Sequence, residues 1–543
     1  MKKVIFLLCI LLVSLPILGQ SRQPSGEKHR IVAYAQQFLM DQGFDPQKLQ
    51  LRFEKVTPNL VFFDNPESRL FILVARDKVA PLLHERILAF SMGATWAEGV
   101  DDSGIEKIFH YYDSTLTKMA AGKIPAEINF PRFQPHKNVS ALLKDIKWRQ
   151  FRFPMHCGYP MQGCLTGCGP TAMAQIMKFH RYPADSIDWE TTRASYPYLT
   201  SDTLSIVPLL ARIGRCAKAE YGVKGTRSSM EDLRHALIRN FGYSTRMYHA
   251  YHQVKECDLL QWVETDISEG RPSLLCGFDH LFVCDGVCND FFHLNMGWGG
   301  NYDGWYRFIT PQAYTQQESL LDGALVNIVP LDASDTICHD LSFEQAGGLA
   351  SLPITQLKDI ARLKLSGPIN GADLNVLRHM AGSMMNDTIR GWHGRLSELD
   401  LSEASIVADS PYYFNYIASE NGLWITWNGK EYDFSHMTHK KWMEIADAPA
   451  THNSHYDVVE EEPGAVYRVY LKTEDDVVGS SLFYSCQNLR KLMLPRSTER
   501  IGRYAFFFCP MLESVTMPDL DIINTNRKDY FSAECQILIY PEE

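Results

Sequence analysis

A cysteine between two glycines opens a run of helix formers, from Gly167-Cys168-Gly169-Pro170 through Thr171, Ala172, Met173, Ala174, Gln175, Ile176 and Met177 to Lys178. The glycines permit a tight turn, and Pro170 suits a first helical turn, where its missing N–H costs nothing. Cys168 is therefore expected at or just before a helix N-terminus. The partial positive charge there favours a thiolate, and the local N–H groups can face an oxyanion formed beside the sulfur. A nucleophile of this kind needs a base held in one tautomer. His280 opens the apolar stretch Leu281-Phe282-Val283-Cys284-Asp285-Gly286, which reads as a strand ending in a turn. Phe291 to Asn295 reads as the returning strand, followed by Met296-Gly297-Trp298-Gly299-Gly300. A hairpin of that length can bring the Asn295 amide back to the imidazole, and Trp298 can cover the contact and exclude water. Gln150, eighteen residues before Cys168 in Trp148-Arg149-Gln150, can supply a second oxyanion donor. Gln162 competes for that role. Read singly, Cys168 is equally a buried cysteine at a helix start, His280 a strand histidine and Gln150 a surface amide. Their combination favours nucleophilic catalysis.

These segments resemble the streptopain family of papain-like cysteine peptidases. The resemblance rests on Gly167 to Lys178 with Tyr182-Pro183 after it, on His280 to Gly286, and on Asn295 to Gly300 with the Asp303-Gly304 turn. It implies a Cys168–His280 dyad supported by Asn295 and Trp298, with Gln150 as oxyanion donor. It spans roughly residues 141–330 well. The N-terminal region is more weakly similar to the family's inhibitory propeptide. Gly169-Pro170 stands where the family usually has valine and alanine, and Met296 where it usually has tryptophan. Asp279 precedes the histidine in place of a small residue and either raises the His280 pKa or faces solvent. Cys164 is either a redox partner of Cys168 or a bystander.

The elements that must position this chemistry divide the 543 residues into four parts. Residues 1–20, with Met1-Lys2-Lys3 ahead of an apolar run from Val4 to Leu18, have the layout of a secretory signal cut near Gly19. Residues 21–140 read as an α+β propeptide. Helical patterns cover Glu27 to Met40, 80–90 and 104–118, and an extended hairpin spans Leu60 to Val74. The stretch 120–140, with Pro125, Pro131 and Pro135, reads as an exposed linker open to nicking. Residues 141–332 form the peptidase domain. Residues 336–543 form a leucine-rich-repeat-like region. There Phe483 to Pro495 recurs 23 residues later as Phe506 to Pro518, with looser echoes at Leu363-Lys364-Leu365 and Leu399-Asp400-Leu401. A period in the twenties with regular leucines marks a solenoid, in which Cys486 and Cys509 serve as ladder residues.

The expected fold class is α+β, and the expected protein a secreted or surface-held cysteine endopeptidase made as a zymogen. Its partners would be protein or peptide substrates, with a possible protein partner for the repeats. The net charge of -11 argues against nucleic acid. No cofactor or metal is called for, since the His180/Cys164 and His252/Cys257 groupings lack a four-ligand pattern. No membrane span is expected in the mature chain. The twelve cysteines beyond Cys9 suggest disulfides in an exported protein. The alternatives are a binding protein that works through its repeats with an idle peptidase domain, a papain-fold amidase or transpeptidase, and a peptidase inhibitor.

Overall fold

The computed structural model describes residues 26–541, apart from 96–102, 131, 156–159, 185–186, 191–199, 250–255, 310–319, 332–336, 384–393, 420–422, 428–429, 435–455, 463–465, 503, 523–530 and 532–534. The expected signal at 1–20, and the cysteines at 9 and 157, lie outside the described residues. It is a mixed α+β protein. The N-terminal helix α1 (Gly26–Asp41) precedes strands β1 (Arg52–Val56), β2 (Leu60–Asn65), β3 (Leu70–Ala75) and β4 (Ile87–Ser91), then helix α2 (Ser103–Ala120). The central region contributes α3 (Cys168–His180), α4 (Thr200–Cys216), α5 (Met230–Phe241), β5 (Tyr243–His249) and α6 (Glu256–Ser268). Strands β6 (Ser273–Gly277), β7 (His280–Cys288), β8 (Phe291–Asn295), β9 (Gly304–Arg307) and β10 (Leu321–Pro330) follow.

The two regions share one sheet. Its order is β1-β2-β3-β4-β9-β8-β7-β6-β10-β5. The join is the antiparallel pairing of β4 with β9 at Ala89↔Tyr306 and Phe90↔Trp305. The β2–β3 hairpin forms as its turn residues predict, with Leu60 opposite Ala75 and Asn65 opposite Leu70. Strand β3 is apolar throughout because both its faces are covered. Phe71, Leu73 and Ala75 enter a core with α2 and α6, while Leu70, Ile72 and Val74 enter one with α1.

Two expectations for this region are corrected. The helical pattern over 80–90 resolves into a 3₁₀ turn at Ala80–Leu82 and the strand β4. A short apolar run such as Ile87–Ser91 carries no periodicity that separates strand from helix, and the open edges of β3 and β9 decide it. The 120–140 stretch is also not a free linker. Glu127 is buried and ion-paired with Arg307. Arg132 pairs with Asp290, and the ring of His136 reaches Glu264 at 2.6 Å. Glu127 is buried in this way, while Arg132 and His136 stay partly in water as they reach carboxylates of the central region.

The C-terminal region is a parallel solenoid. Cys338–Ser342, Arg362–Ile369, Glu398–Asp400, Lys491–Met493, Ser514–Met517 and Gln536–Ile539 pair in succession. The leucine echoes stack in register: Leu363 lies beside Leu399, Leu399 beside Leu492, Leu492 beside Val515 and Val515 beside Ile537. Phe483, Phe506 and Phe531 form a second ladder, stacked at 6.0 and 5.1 Å. Cys486 and Cys509 are buried in this core. Antiparallel strands Tyr412–Ser419, Tyr456–Glu462 and Val466–Lys472 interrupt the repeat. Among the described residues, the cysteines at 164, 168, 216, 276, 284, 288, 338, 486, 509 and 535 are all free thiols, so the disulfides expected from export do not appear there.

Candidate active site

Cys168 is the first residue of α3. Gly167 before it adopts φ +91°, and a Cβ there would lie 2.9 Å from Thr226. Gly169 after it is hemmed in: a Cβ would meet Ser228 Oγ at 2.2 Å and Leu233 Cδ1 at 2.8 Å. Both positions therefore need glycine, the first for its backbone conformation and the second for space. The backbone N–H groups of Leu281, Gly169 and Cys168 point at the sulfur and would favour a thiolate. Burial of the sulfur is the larger influence, however, and pushes the thiol up from its ordinary value.

Leu281 follows His280 in β7, so the start of that strand supplies one of the backbone N–H groups beside the sulfur. The two-residue turn Phe278-Asp279, with φ +44° and +59°, delivers His280 there opposite Gly277. Burial lowers the His280 pKa to about 4, opposed by its hydrogen bond to the Met296 carbonyl. That bond is 2.8 Å from Nε2. A carbonyl only accepts, so Nε2 carries the hydrogen and Nδ1 keeps a free lone pair. The Trp298 indole stacks on the imidazole at 4.6 Å and 24°.

Asn295 is not the imidazole's partner, contrary to the sequence expectation. Its Oδ1 accepts from Gln175 Nε2 and from the Gly297 N–H, each at 3.1 Å, and its Nδ2 donates to the Ile146 carbonyl at 2.9 Å. Strand register explains the difference. Asn295 lies opposite Val283 in the β7–β8 pair. The chain reaches the level of His280 only farther on, where Met296 supplies the carbonyl and Trp298 the stacking ring. Gln150 is half-buried. Its N–H donates to the Gly297 carbonyl at 3.2 Å, so the Trp148-Arg149-Gln150 segment runs beside the tryptophan loop. Gln162 is exposed. Asp279 is also largely exposed, pairs with Lys107 of α2, and is not among the influences on His280.

Two supporting residues escaped the sequence reading. Gln175 ties three segments together, accepting from the Trp148 N–H at 2.9 Å and donating to Asn295. It lies two helical turns after Cys168, and a glutamine on an otherwise apolar helix face was the available signal. Asp303 is buried, and its Oδ1 accepts the Met296 N–H at 2.9 Å, fixing the peptide that holds His280. Burial raises its pKa to about 6. Behind them, His293 Nδ1 meets Asp285 at 2.6 Å.

The N-terminal region adjoins this arrangement. Ile108, Phe109 and Tyr112 of α2 share one apolar cluster with Phe282, Met296 and Trp298, and the Tyr302 N–H donates to the Thr95 carbonyl at 3.4 Å. Among the described residues no group of histidine, cysteine and acidic side chains could hold a metal ion, and no helix is long and apolar enough to cross a membrane.

Comparison with known proteins bears on the same residues. Residues 152–204 and 184–306 match the Peptidase C10 family. Residues 468–539 match the BspA type leucine rich repeat region. Streptopain of Streptococcus pyogenes is 24% identical over 299 residues, which cover 44% of this chain and 71% of that protein. The thiol protease/hemagglutinin of Porphyromonas gingivalis is 26% identical over 196 residues, 29% of this chain and 22% of that one. A prointerpain A fragment of Prevotella intermedia overlays on 52% of this chain and 99% of its own with a TM-score of 0.43 and 20% identity.

Proposed function

We propose that this chain, whose central region is a cysteine peptidase domain of the C10 family and whose C-terminal region carries BspA-type repeats, is an exported endopeptidase made as a zymogen. Cys168 is the nucleophile and His280 its base. The observation that carries this reading is the meeting of the Cys168 sulfur, at the head of α3, with the N–H of Leu281 beside an imidazole whose Nε2 is already occupied. The sulfur attacks a peptide carbonyl carbon as its proton passes to His280 Nδ1. The imidazolium then protonates the leaving amine, and the neutral ring next activates the water that releases the acyl group. The Cys168 N–H and the Gln150 amide face the oxyanion. Asn295 and Trp298 support the imidazole from behind, Asn295 by anchoring the loop and Trp298 by stacking.

Residues 21–140 act as the inhibitory propeptide, residues 141–332 as the peptidase and residues 336–543 as the repeat region. Support for latency comes from two features of the closed form. Burial pushes its thiol up and its imidazole down, and both shifts disfavour the reactive thiolate–imidazolium pair. Helix α2 also shares an apolar cluster with Met296 and Trp298. Cleavage on the C-terminal side of Glu127 within 120–140 must be followed by loss of the Glu127–Arg307 pair before the region can leave. Export follows the signal-like residues 1–20.

The deciding experiment is labelling of the trimmed protein with an irreversible thiol-directed epoxide and mapping of the modified residue. Modification at Cys168, abolished in Cys168→Ala together with casein hydrolysis, is the expected result. Modification elsewhere with hydrolysis intact would overturn the assignment. Full-length protein that hydrolyses casein as fast as trimmed protein would remove the zymogen reading alone.

A further inference from the structure

Helix α5 carries two buried faces of opposite character. Met230, Leu233, Leu237 and Phe241 enter the core shared with α3 and α4. Glu231, Arg234, His235, Ile238 and Arg239 recur at spacings of three and four and form a second stripe. A charged stripe on a helix ordinarily faces water, yet Glu231 is 6% exposed and Arg234 0%. A buried guanidinium is tolerated only when acceptors surround it. Glu231 lies 3.7 Å from Arg234 and 2.7 Å from His235. The remaining cover is the repeat region. Arg234 donates to the Gln487 carbonyl, and Arg239 donates to the Pro510 carbonyl at 3.2 Å.

Those two carbonyls are 23 residues apart, the period of the repeat. They occupy the same position in consecutive repeats, just ahead of strands paired at Lys491↔Ser514. Repeats stack about 4.8 Å apart, and arginines five residues apart on a helix are separated by about 7.5 Å of rise, a difference their long side chains absorb. The turn is itself fixed: Gln487 Nε2 donates to the Phe508 carbonyl at 3.2 Å, and Asn488 Nδ2 to the Gly394 carbonyl at 2.9 Å. On its other side α5 reaches the nucleophile's turn, through Leu233 against Gly169.

We propose that the repeat region is a built-in brace of the peptidase. Docked on α5 through Arg234 and Arg239, it fixes that helix and, through Leu233, the turn that presents Cys168. The two arginines are positioning residues, and the partner that fits this face of α5 is the chain's own consecutive repeats.

The test uses the full-length protein and its variants Arg234→Met and Arg239→Glu, with hydrogen exchange and the pH profile of Cys168 alkylation by iodoacetamide as readouts. Arg234→Met is expected to speed exchange at least tenfold both in 228–241 and in the turns at 485–490 and 508–512, and to shift the alkylation profile. Arg239→Glu, at an exposed position that leaves the fold intact, is expected to act in the same direction by a few fold. Arg239→Lys, which keeps a donor, is expected to restore most of the protection. If Arg239→Glu leaves both regions at wild-type exchange, or if exchange rises in α5 without the repeat turns, the brace is disproved. If docking responds but alkylation at Cys168 does not, the link through Leu233 is disproved. The last step rests on Cys168 being the nucleophile, whereas the exchange readout does not. A protein without hydrolytic activity but with coupled exchange would therefore sink the peptidase reading and keep the docking.

Discussion

Each end of the chain is joined to the central region through a buried arginine, and the two joints are built differently. At the N-terminal joint Arg307 meets two carboxylates, Glu127 and Asp290, the latter at 2.8 Å. It sits beside a continuous sheet and an apolar cluster that runs from α2 to Trp298. At the C-terminal joint Arg234 meets one carboxylate and a backbone carbonyl, and the repeat core stays separate from the others. The first joint buries much apolar surface in the cluster that contains Trp298. The second is a polar contact behind Cys168. A region held by apolar burial needs a chain break and a large loss of contacts to leave, which suits a segment removed once. A region held by hydrogen bonds to a repeating backbone can stay attached while it positions a helix.

Arg307→Met leaves Glu127 buried without its cation and Asp290 with Arg132 alone at 3.4 Å, and breaking a buried pair costs about 3–5 kcal/mol. The urea midpoint should fall accordingly, and by more than it falls in Arg234→Met. An equal or smaller fall would break the comparison.

Asp303→Ala frees the Met296 peptide. An unmade buried hydrogen bond costs about 1–3 kcal/mol, and kcat of the trimmed enzyme should drop about 10–100-fold, since 1.4 kcal/mol is tenfold. An unchanged kcat would show that His280 needs no such support.

The N-terminal joint should also weaken in acid. His280 titrates at about 4 in the closed form, against about 6.5 when exposed. Between those values an opened form takes up a proton that the closed form refuses. Opening is therefore favoured as pH falls, by at most about 1.4 kcal/mol per pH unit. Asp303 at about 6 and the raised His293 hold protons in the folded protein and oppose part of the loss in global stability. Hydrogen exchange of α2 at pH 7 and pH 5, corrected for intrinsic rates, measures this. Protection that is flat or rises in acid would contradict it.

Lys107→Ala removes the pair with Asp279, whose carboxylate is 85% exposed. Exposed pairs contribute about 0–1 kcal/mol, so trimming should quicken by about fivefold at most. A large acceleration would make that contact, and not the apolar cluster, the principal restraint.

Local chemistry determined much of this protein by itself. The helix start at Cys168, the hairpin from Leu60 to Val74, the paired strands after His280 and the leucine ladder each follow from glycine, proline, turn residues or a short period, all acting over a few residues. Tertiary structure decided the rest, because those features depend on which distant strand or helix is the neighbour. Register against Val283 turned Asn295 toward Gln175 and gave His280 the Met296 carbonyl. The open edge of β9 made Ile87–Ser91 a strand. The charged stripe of α5 reads as a solvated face until the repeats lie against it, since burial is a property of the pair of surfaces and neither sequence segment carries it alone.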